Sequence, residues 1–318
     1  MREPLTLTLS PEYRGEGTRK EFARITAAHG VDFATRLLYD RVRRDRRHGE
    51  FIDRVESTRL ADAPGDAPKD STVVVVPGAF YRSYPHTEAD GRRLIDAARR
   101  AGFRTDVVPL LDFGPVDDNA AILLDWLAAR ARRDGGPLVL ASLSKGSLEV
   151  RRALALGGAG DAFRDVVAWV NVSGVPDGSL LADHMLGGPV RRTMTRLACL
   201  WMRADFGVMP QLKRGASGAC GAIGEDEKNW AAQAPRLRIA HVIGFPLREH
   251  LTCRIARRNH RALARHGPND GGGVLLADAC RWPGALYPVW GADHFMRPPG
   301  GVEETVARVL TAAFSTCS

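Results

Sequence analysis

The stretch that most constrains the fold runs from Pro137 to Val150 and reads PLVLASLSKGSLEV. Its first part, Leu138 to Ala141, is a short apolar run after two glycines and a proline, which is typical of a buried parallel strand. Small and hydroxyl residues follow, and residues 147–154 can continue as a helix. The pattern therefore predicts a strand, a tight turn and a helix, with Ser144 at the apex of the turn.

The turn Ser142-Leu143-Ser144-Lys145-Gly146 is similar to the G-x-S-x-G nucleophile elbow, in which a sharp turn lifts a serine hydroxyl clear of the sheet. Ser142 stands where that motif has its first glycine. On these residues the chain resembles the α/β-hydrolase family, and the resemblance implies that Ser144 is a nucleophile. Two other interpretations stay open. One is an ordinary strand-to-helix turn, and the other is an S-x-x-K site of Ser142 and Lys145, which lacks S-D-N-like and K-T-G partner segments here.

Strands and helices alternate on both sides of this stretch. Apolar runs predict further strands over 73–76, 103–109, 166–172, 239–245 and 286–290, and helical spacing predicts helices over 88–100, 119–133 and 247–265. Such alternation indicates a parallel sheet with right-handed crossovers and helices on both faces. Together with the elbow, it predicts an α/β fold of the α/β-hydrolase type, with a mostly parallel central sheet, over residues 71–318.

Three other segments are distinguished by their patterns. Residues 1–17 lack helical periodicity, which predicts a disordered tail. Residues 18–60 carry apolar residues at helical spacing, with a break at Gly30 and Asp32 as the N-cap of a second helix, which predicts an N-terminal helical extension. Between about 180 and 235 no strong strand is present, so a helical cap insertion is expected there, with the glycine-rich residues 215–224 as a flexible part of it.

Composition excludes several classes of protein. The 318 residues contain no uninterrupted apolar run of membrane-spanning length and no secretory signal, so we expect a cytoplasmic protein without stable membrane insertion. The five cysteines lack C-x-x-C spacing, which predicts reduced structural thiols and no metal site. The net charge of +8 comes chiefly from arginines spread along helices without interleaved aromatic residues, so no nucleic-acid partner is expected.

The resemblance implies partners for Ser144. In this family the chain order is nucleophile, acid and histidine. His294 follows the last predicted strand, at the edge where the carboxyl ends of parallel strands meet and ligands bind, and is the candidate base. Asp270 lies in an Asn-Asp-Gly segment that is similar to the one carrying the acid in bacterial triacylglycerol lipases, and is the candidate acid. Asp278 stays open as its competitor.

The resemblance also implies an oxyanion hole and a pocket. The loop after the first strand supplies one backbone N–H, from Ala79 or Phe80, and the residue after the nucleophile, Lys145, supplies the other. A Gly-Ser-x-x-Ala-Asp segment at 178–183 is similar to the one that enters the lid of those lipases. An apolar pocket under the cap is expected, although the cap residues could instead pack on the core. Its candidate lining residues are Leu143, Met194, Leu197 and Trp201.

These expectations together describe a serine esterase or lipase that cleaves carboxylic esters through an acyl-enzyme on Ser144. Its partner would be a small-molecule ester with an acyl group, and no metal or organic cofactor is expected. The sequence leaves open a thioesterase or acyltransferase with the same three residues, and a non-catalytic, hydrolase-like small-molecule-binding protein. It does not give the oligomeric state.

Overall fold

The computed structural model of the chain describes residues 16–60, 71–133, 135–156, 159–215, 237–297 and 302–315. Its centre is a sheet of six strands: β1 (Thr72–Val76), β2 (Arg104–Val107), β3 (Leu138–Leu143), β4 (Val166–Val172), β5 (Arg238–Phe245) and β6 (Ala285–Trp290). The strand order is β2-β1-β3-β4-β5-β6, and every neighbouring pair is parallel. The predicted α/β fold with a mostly parallel central sheet is confirmed.

Helices surround this sheet. Before β1 lie α1 (Glu16–His29), α2 (Val31–Arg44) and α3 (Arg46–Ser57). Between β1 and β4 lie α4 (Arg92–Arg100), α5 (Val116–Arg133), α6 (Gly146–Ala155) and α7 (Ala159–Ala162). After β4 come α8 (Leu180–Leu186), α9 (Pro189–Trp201) and α10 (Val208–Gln211). The last helices are α11 (Arg254–Leu263), α12 (Leu276–Ala279) and α13 (Val302–Ser315).

The valine run of β1 shows how the two faces of the sheet are covered. All its residues are buried, because a parallel strand inside such a sheet packs against helices on both faces. Side chains alternate between the faces of a strand. Val73 and Val75 accordingly join the apolar cluster of α4 and α13, whereas Val74 and Val76 join that of α5 and α6. The continuous apolar character of the sequence is thus explained by burial on both sides.

The N-terminal segment differs in detail from its prediction. Helix α1 begins at Glu16, inside the segment expected to be a tail, and the rest of that segment lies outside the described residues. Gly30, with a φ of 88°, holds the N-cap position of α2, and Asp32 instead accepts the N–H of Arg248 at 3.0 Å. A further break at Asp45, whose side chain accepts the N–H of Arg47, starts α3.

Contacts join this extension to the β6 side of the sheet. Phe22, Leu38 and Ile52 share an apolar cluster with Phe245 of β5 and Leu286 of β6. The buried His48 accepts the backbone N–H of Leu286 at 3.2 Å. The extension therefore packs against the β5 and β6 end of the sheet and contributes to its core.

The predicted cap is helical where the structure describes it, in α8 to α10. Residues 216–236, with most of the glycine-rich segment, lie outside the described residues. Within the described ranges, no helix is both long and apolar enough to cross a bilayer. Cys199, Cys253 and Cys280 are free thiols.

Candidate active site

Ser144 occupies a strained turn between β3 and α6. Its φ of 46° lies in the left-handed region, which costs energy for a residue with a side chain. Three hydrogen bonds to its carbonyl hold this conformation: from the N–H and the hydroxyl of Ser147, at 3.2 and 2.7 Å, and from the N–H of Val175, at 3.2 Å. The strand, turn and helix predicted around Ser144 are therefore present.

The residues flanking Ser144 explain the form of the motif. A Cβ at Gly146 would lie 2.6 Å from the carbonyl oxygens of Val76 and Pro77, so the turn approaches the end of β1 too closely for any side chain. Ser142, at the position of the missing first glycine, is fully buried, and its hydroxyl accepts the indole N–H of Trp169 at 2.7 Å. The first position therefore has room for a side chain, whereas the last does not.

His294 follows β6 and faces Ser144. The Nε2 atom of its ring lies 3.1 Å from the Ser144 hydroxyl oxygen. Its ring packs directly over Gly272, where a Cβ would come within 2.0 Å of the imidazole. A glycine at this position is therefore required for the ring to reach the serine.

Asp270 holds the other side of the imidazole. Its Oδ2 atom lies 2.6 Å from Nδ1 of His294, and its Oδ1 atom accepts the N–H groups of Gly272, Gly273 and Val274 at 2.9, 3.0 and 3.0 Å. The N–H of His294 also donates to the Asp270 carbonyl at 2.9 Å. One carboxylate oxygen is thus fixed by the backbone while the other faces the histidine.

Two effects oppose each other at His294. Burial disfavours the charged imidazolium and lowers the pKa, but the charge of Asp270, its hydrogen bond and the charge of Asp293 raise it. The net result is that the pKa of His294 lies above its ordinary value. The surroundings therefore favour the protonated ring, which is the form that results when the imidazole takes a proton.

The other nearby aspartates have different partners. Asp278, the competitor of Asp270, directs its two carboxylate oxygens to Arg19 at 2.8 Å and Arg214 at 3.3 Å. Asp293 accepts the backbone N–H groups of Phe295 and Arg297 at 2.9 and 3.3 Å, and burial raises its pKa. The structure thus brings Asp270, and not Asp278, to His294.

The candidate oxyanion donors differ in whether their N–H groups already have an acceptor. Phe80 has a φ of 60°, and its N–H donates to the carbonyl of Asp112 at 2.8 Å. In the described turns and loops, the N–H groups of Ala79 and Lys145 have no acceptor, and both residues line the cavity beside Ser144. Of the two predicted loop donors, the N–H of Ala79 is therefore available to an oxyanion, whereas the N–H of Phe80 is already hydrogen-bonded.

The side chain of Lys145 enters a buried network that the sequence analysis missed. Its ammonium pairs with Glu149, one helical turn later, and the amide of Asn119 on α5 donates to the same carboxylate oxygen at 2.6 Å. Burial raises the pKa of Glu149, and Lys145 and Asn119 oppose that rise. The i, i+4 spacing of lysine and glutamate was the available signal. The network ties the first turn of α6 to α5.

A cavity of about 1110 Å³ opens over Ser144 and His294. Aromatic residues form part of its wall, with the Phe80 ring stacked on Phe113 at a centroid distance of 4.3 Å. Cap residues form another part, and they include four methionines: Met185, Met194, Met202 and Met209. Most of the lining is apolar, so the cavity suits an apolar ligand group.

The predicted pocket residues divide into two groups. Leu143, Met194 and Trp201 line the cavity. The structure does not bring Leu197 to the cavity, because this side chain is 55% exposed and lies outside the lining. Successive helical residues are about 100° apart, and Leu197 falls beyond the arc of α9 that faces the cavity.

The arrangement has a specific chemical capability. A hydroxyl bound to an imidazole, whose other nitrogen faces a buried carboxylate, can transfer its proton to the ring as the oxygen attacks an electrophile. Among the described residues, no group of three or more His, Cys, Asp or Glu side chains is arranged to hold a metal ion.

Comparisons with known proteins give similarity in structure but not in sequence. No family model and no curated protein matches the chain. The mature lipase BlEst2 from Bacillus licheniformis superimposes with a TM-score of 0.56 at 19% identity, over 72% of this chain and 87% of that one. A carboxyl esterase of metagenomic origin superimposes with a TM-score of 0.54 at 21% identity, over 98% of this chain and 95% of that one. At these identities the likeness shows the fold alone.

Proposed function

We propose that this chain, which has the α/β-hydrolase fold, is a serine hydrolase that cleaves carboxylic esters through an acyl-enzyme on Ser144. One observation carries the proposal: the hydroxyl of Ser144 lies 3.1 Å from His294, whose other ring nitrogen lies 2.6 Å from Asp270. The order of these residues along the chain also agrees with that of the fold family. The names of the two structural neighbours, a lipase and a carboxyl esterase, support the same reaction class.

In the first step, the Ser144 oxygen attacks the acyl carbon of the ester while Nε2 of His294 takes the hydroxyl proton. Asp270 keeps the proton of the neutral ring on Nδ1, so that Nε2 is the acceptor, and it stabilises the imidazolium that forms. The three backbone N–H groups on its other oxygen keep this carboxylate in place. Asp270 thus acts on the reaction through His294.

The attack places negative charge on the former carbonyl oxygen. The N–H groups of Ala79 and Lys145 are the donors proposed to stabilise it. Loss of one such donor costs on the order of a hundredfold or more in rate. The buried ion pair of Lys145 with Glu149 holds the turn that carries one of these N–H groups.

Collapse of the tetrahedral intermediate breaks the bond to the alcohol oxygen, which takes the proton from His294. The acyl group stays on Ser144 as an ester. His294 then takes a proton from water, whose oxygen attacks the acyl carbon, and the same proton returns to Ser144 when the acid leaves. The proton and the acyl group thus pass only between Ser144, His294, the ester and water.

A fluorophosphonate probe tests the proposal, because it reacts with activated serines. We expect peptide mapping to place the label on Ser144, and we expect Ser144→Ala and His294→Ala to abolish labelling while circular dichroism shows that both variants are folded. Turnover of 4-nitrophenyl butyrate should disappear with the label. A folded wild-type protein that neither reacts nor turns over this ester would contradict the proposal and favour a binding protein.

A further inference from the structure

The charged side chains that line the cavity are unevenly distributed. In the described part of the chain they are Glu88, Arg93, Lys145, Arg191, Arg258 and Glu303. At the α4 and α13 end, Arg93 contacts Glu303 at 2.6 Å and Glu88 at 3.0 Å, so that one cation meets two carboxylates. Lys145 is neutralised by Glu149. Among the lining side chains, the end of the cavity at α4 and α13 therefore has two carboxylates and one cation.

The cap side of the cavity has the opposite character. Arg191 on α9 lies 3.4 Å from a ring nitrogen of His184 and donates to the carbonyl of Gly187 at 3.2 Å, and neither partner is an acid. Arg258 also lines the cavity and lies on α11, a helix that contacts α8 of the cap. Within the described residues, neither guanidinium forms an ion pair with a carboxylate. Two cations that have no acidic partner in the described part of the chain therefore border this end.

Other groups beside these arginines are suited to an anion. Helix α11 turns four residues to the cavity at positions i, i+3, i+4 and i+7: Ile255, Arg258, Asn259 and Ala262. The amide of Asn259 can donate hydrogen bonds. His184 on α8 lines the cavity too, and its pKa is lowered by burial and by the positive charge of Arg191, Arg265 and Arg258. The ring of His184 thus lies in a positive field.

We propose that this cap-side cluster, Arg191, Arg258, Asn259 and His184, binds an anionic group of the substrate. The inference rests on the proposed ester hydrolysis and makes it more specific, because the preferred substrates would be esters with a phosphate or carboxylate on one arm. Guanidinium groups bind both anions through paired N–H donors. Glu88 and Glu303 disfavour the same anion at the other end, so the two ends together orient the substrate.

Matched substrates test the specificity. We would compare kcat/KM for the mono-4-nitrophenyl ester of adipic acid, for its methyl-capped neutral analogue, and for 4-nitrophenyl 6-phosphonohexanoate. At low ionic strength we expect at least one anionic ester to be favoured about three- to tenfold, through a lower KM, since exposed ion pairs are individually weak. The preference should shrink in 0.5 M salt. The relative rates of the carboxylate and phosphonate arms identify which anion the site takes.

A matched pair of double variants distinguishes an effect of the proposed site from an effect of the protein's net charge. Arg191→Gln/Arg258→Gln removes both cavity-lining arginines, whereas Arg192→Gln/Arg261→Gln removes two exposed arginines of the same helices that do not line the cavity. We expect the first pair to lose the anionic preference, measured as the ratio of kcat/KM for the anionic ester to kcat/KM for the neutral ester, and the second pair to keep that ratio. The proposal would be overturned if both double variants lost the anionic preference equally, or if the wild type preferred the neutral ester.

A binding measurement distinguishes failure of this inference from failure of the proposed function. Calorimetry with hexylphosphonate and monomethyl adipate on folded Ser144→Ala protein needs no turnover. Binding that weakens several-fold in the Arg191→Gln/Arg258→Gln background supports the anionic site even if no ester is hydrolysed. Ester turnover by the wild type, with no binding of either anion and no anionic preference, contradicts the site and leaves the hydrolase proposal intact.

Discussion

The two sides of the cavity are built in different ways. On the sheet side, Asp270 is fully buried and His294 nearly so, and hydrogen bonds fix Ser144, His294 and Asp270. On the cap side, α9 carries large apolar residues that stay exposed, up to 81% for Trp201. The sheet side relies on directional contacts between a few atoms, whereas the apolar residues of α9 offer non-directional contact. Substitutions should therefore have large effects on the first and small effects on the second.

The largest expected effect is that of Ser144→Ala. Without the attacking oxygen no acyl-enzyme forms, and we expect kcat for a 4-nitrophenyl ester to fall on the order of 10⁶-fold, to the limit of detection. Steady-state kinetics measures this, with Ser57→Ala on α3, outside the cavity lining, as the matched control. Retention of more than a hundredth of wild-type kcat would show that the sheet side does not depend on this oxygen.

A smaller loss is expected for Asp270→Asn. The amide cannot hold the tautomer or stabilise the imidazolium, so kcat should fall on the order of 10⁴-fold. Asp278→Asn is the matched change, because that carboxylate pairs with Arg19 and Arg214 and not with His294, and in a folded variant it should change kcat by less than about threefold. If Asp278→Asn were the more damaging variant in a folded protein, the assignment of the acid would be reversed.

The pH dependence of the sheet side follows from the raised pKa of His294. The base works when neutral, so kcat/KM should fall about tenfold per pH unit below this pKa. Because the pKa is raised, the acid limb should lie above the ordinary histidine value of about 6.5. Asp270→Asn removes the charge that raises the pKa, so the residual activity should titrate at lower pH. An acid limb below pH 6.5 in the wild type, or an acid limb that does not shift in Asp270→Asn, would contradict this account.

The smallest effect is expected on the cap side. Trp201→Ala removes a cavity-lining but mostly exposed ring, and we expect kcat/KM for a decanoyl ester to fall about three- to tenfold while an acetyl ester changes little. Leu197→Ala, on the same helix but outside the lining, should change kcat/KM for both esters by less than about twofold. Equal effects of the two variants would remove the distinction between the cavity-facing and outer parts of α9.

Much of this architecture could be predicted from local sequence. The continuous valines of β1 indicate a strand buried on both faces, and the residues from Leu138 to Leu154 indicate a strand, a turn and a helix. These features depend on neighbours in the chain, because strand and helix periodicity are local properties. Ser144 and His294 became candidates through the resemblance to the α/β-hydrolase family, which could be applied to them because each follows a recognisable strand at the same edge of the sheet.

Tertiary structure decided the remaining questions. Asp270 is separated from β5 by α11, so only the folded loop shows that it, and not Asp278, reaches His294. The choice between Ala79 and Phe80 depends on a hydrogen bond to Asp112, distant along the chain. The exclusion of Leu197 from the cavity depends on how α9 is rotated against its neighbours.

The sequence by itself thus determined the order of strands and helices, the turn at Ser144 and the chemical types of its partners. The tertiary structure decided which carboxylate reaches His294, which backbone N–H is free of an acceptor beside Ser144, and which arginines line the cavity. The physical reason is that strand and helix patterns are set by residues a few positions apart, whereas a site joins residues from distant elements. Their positions depend on how those elements pack, and Arg191 and Arg258, which meet at one cavity from two helices, are the clearest instance.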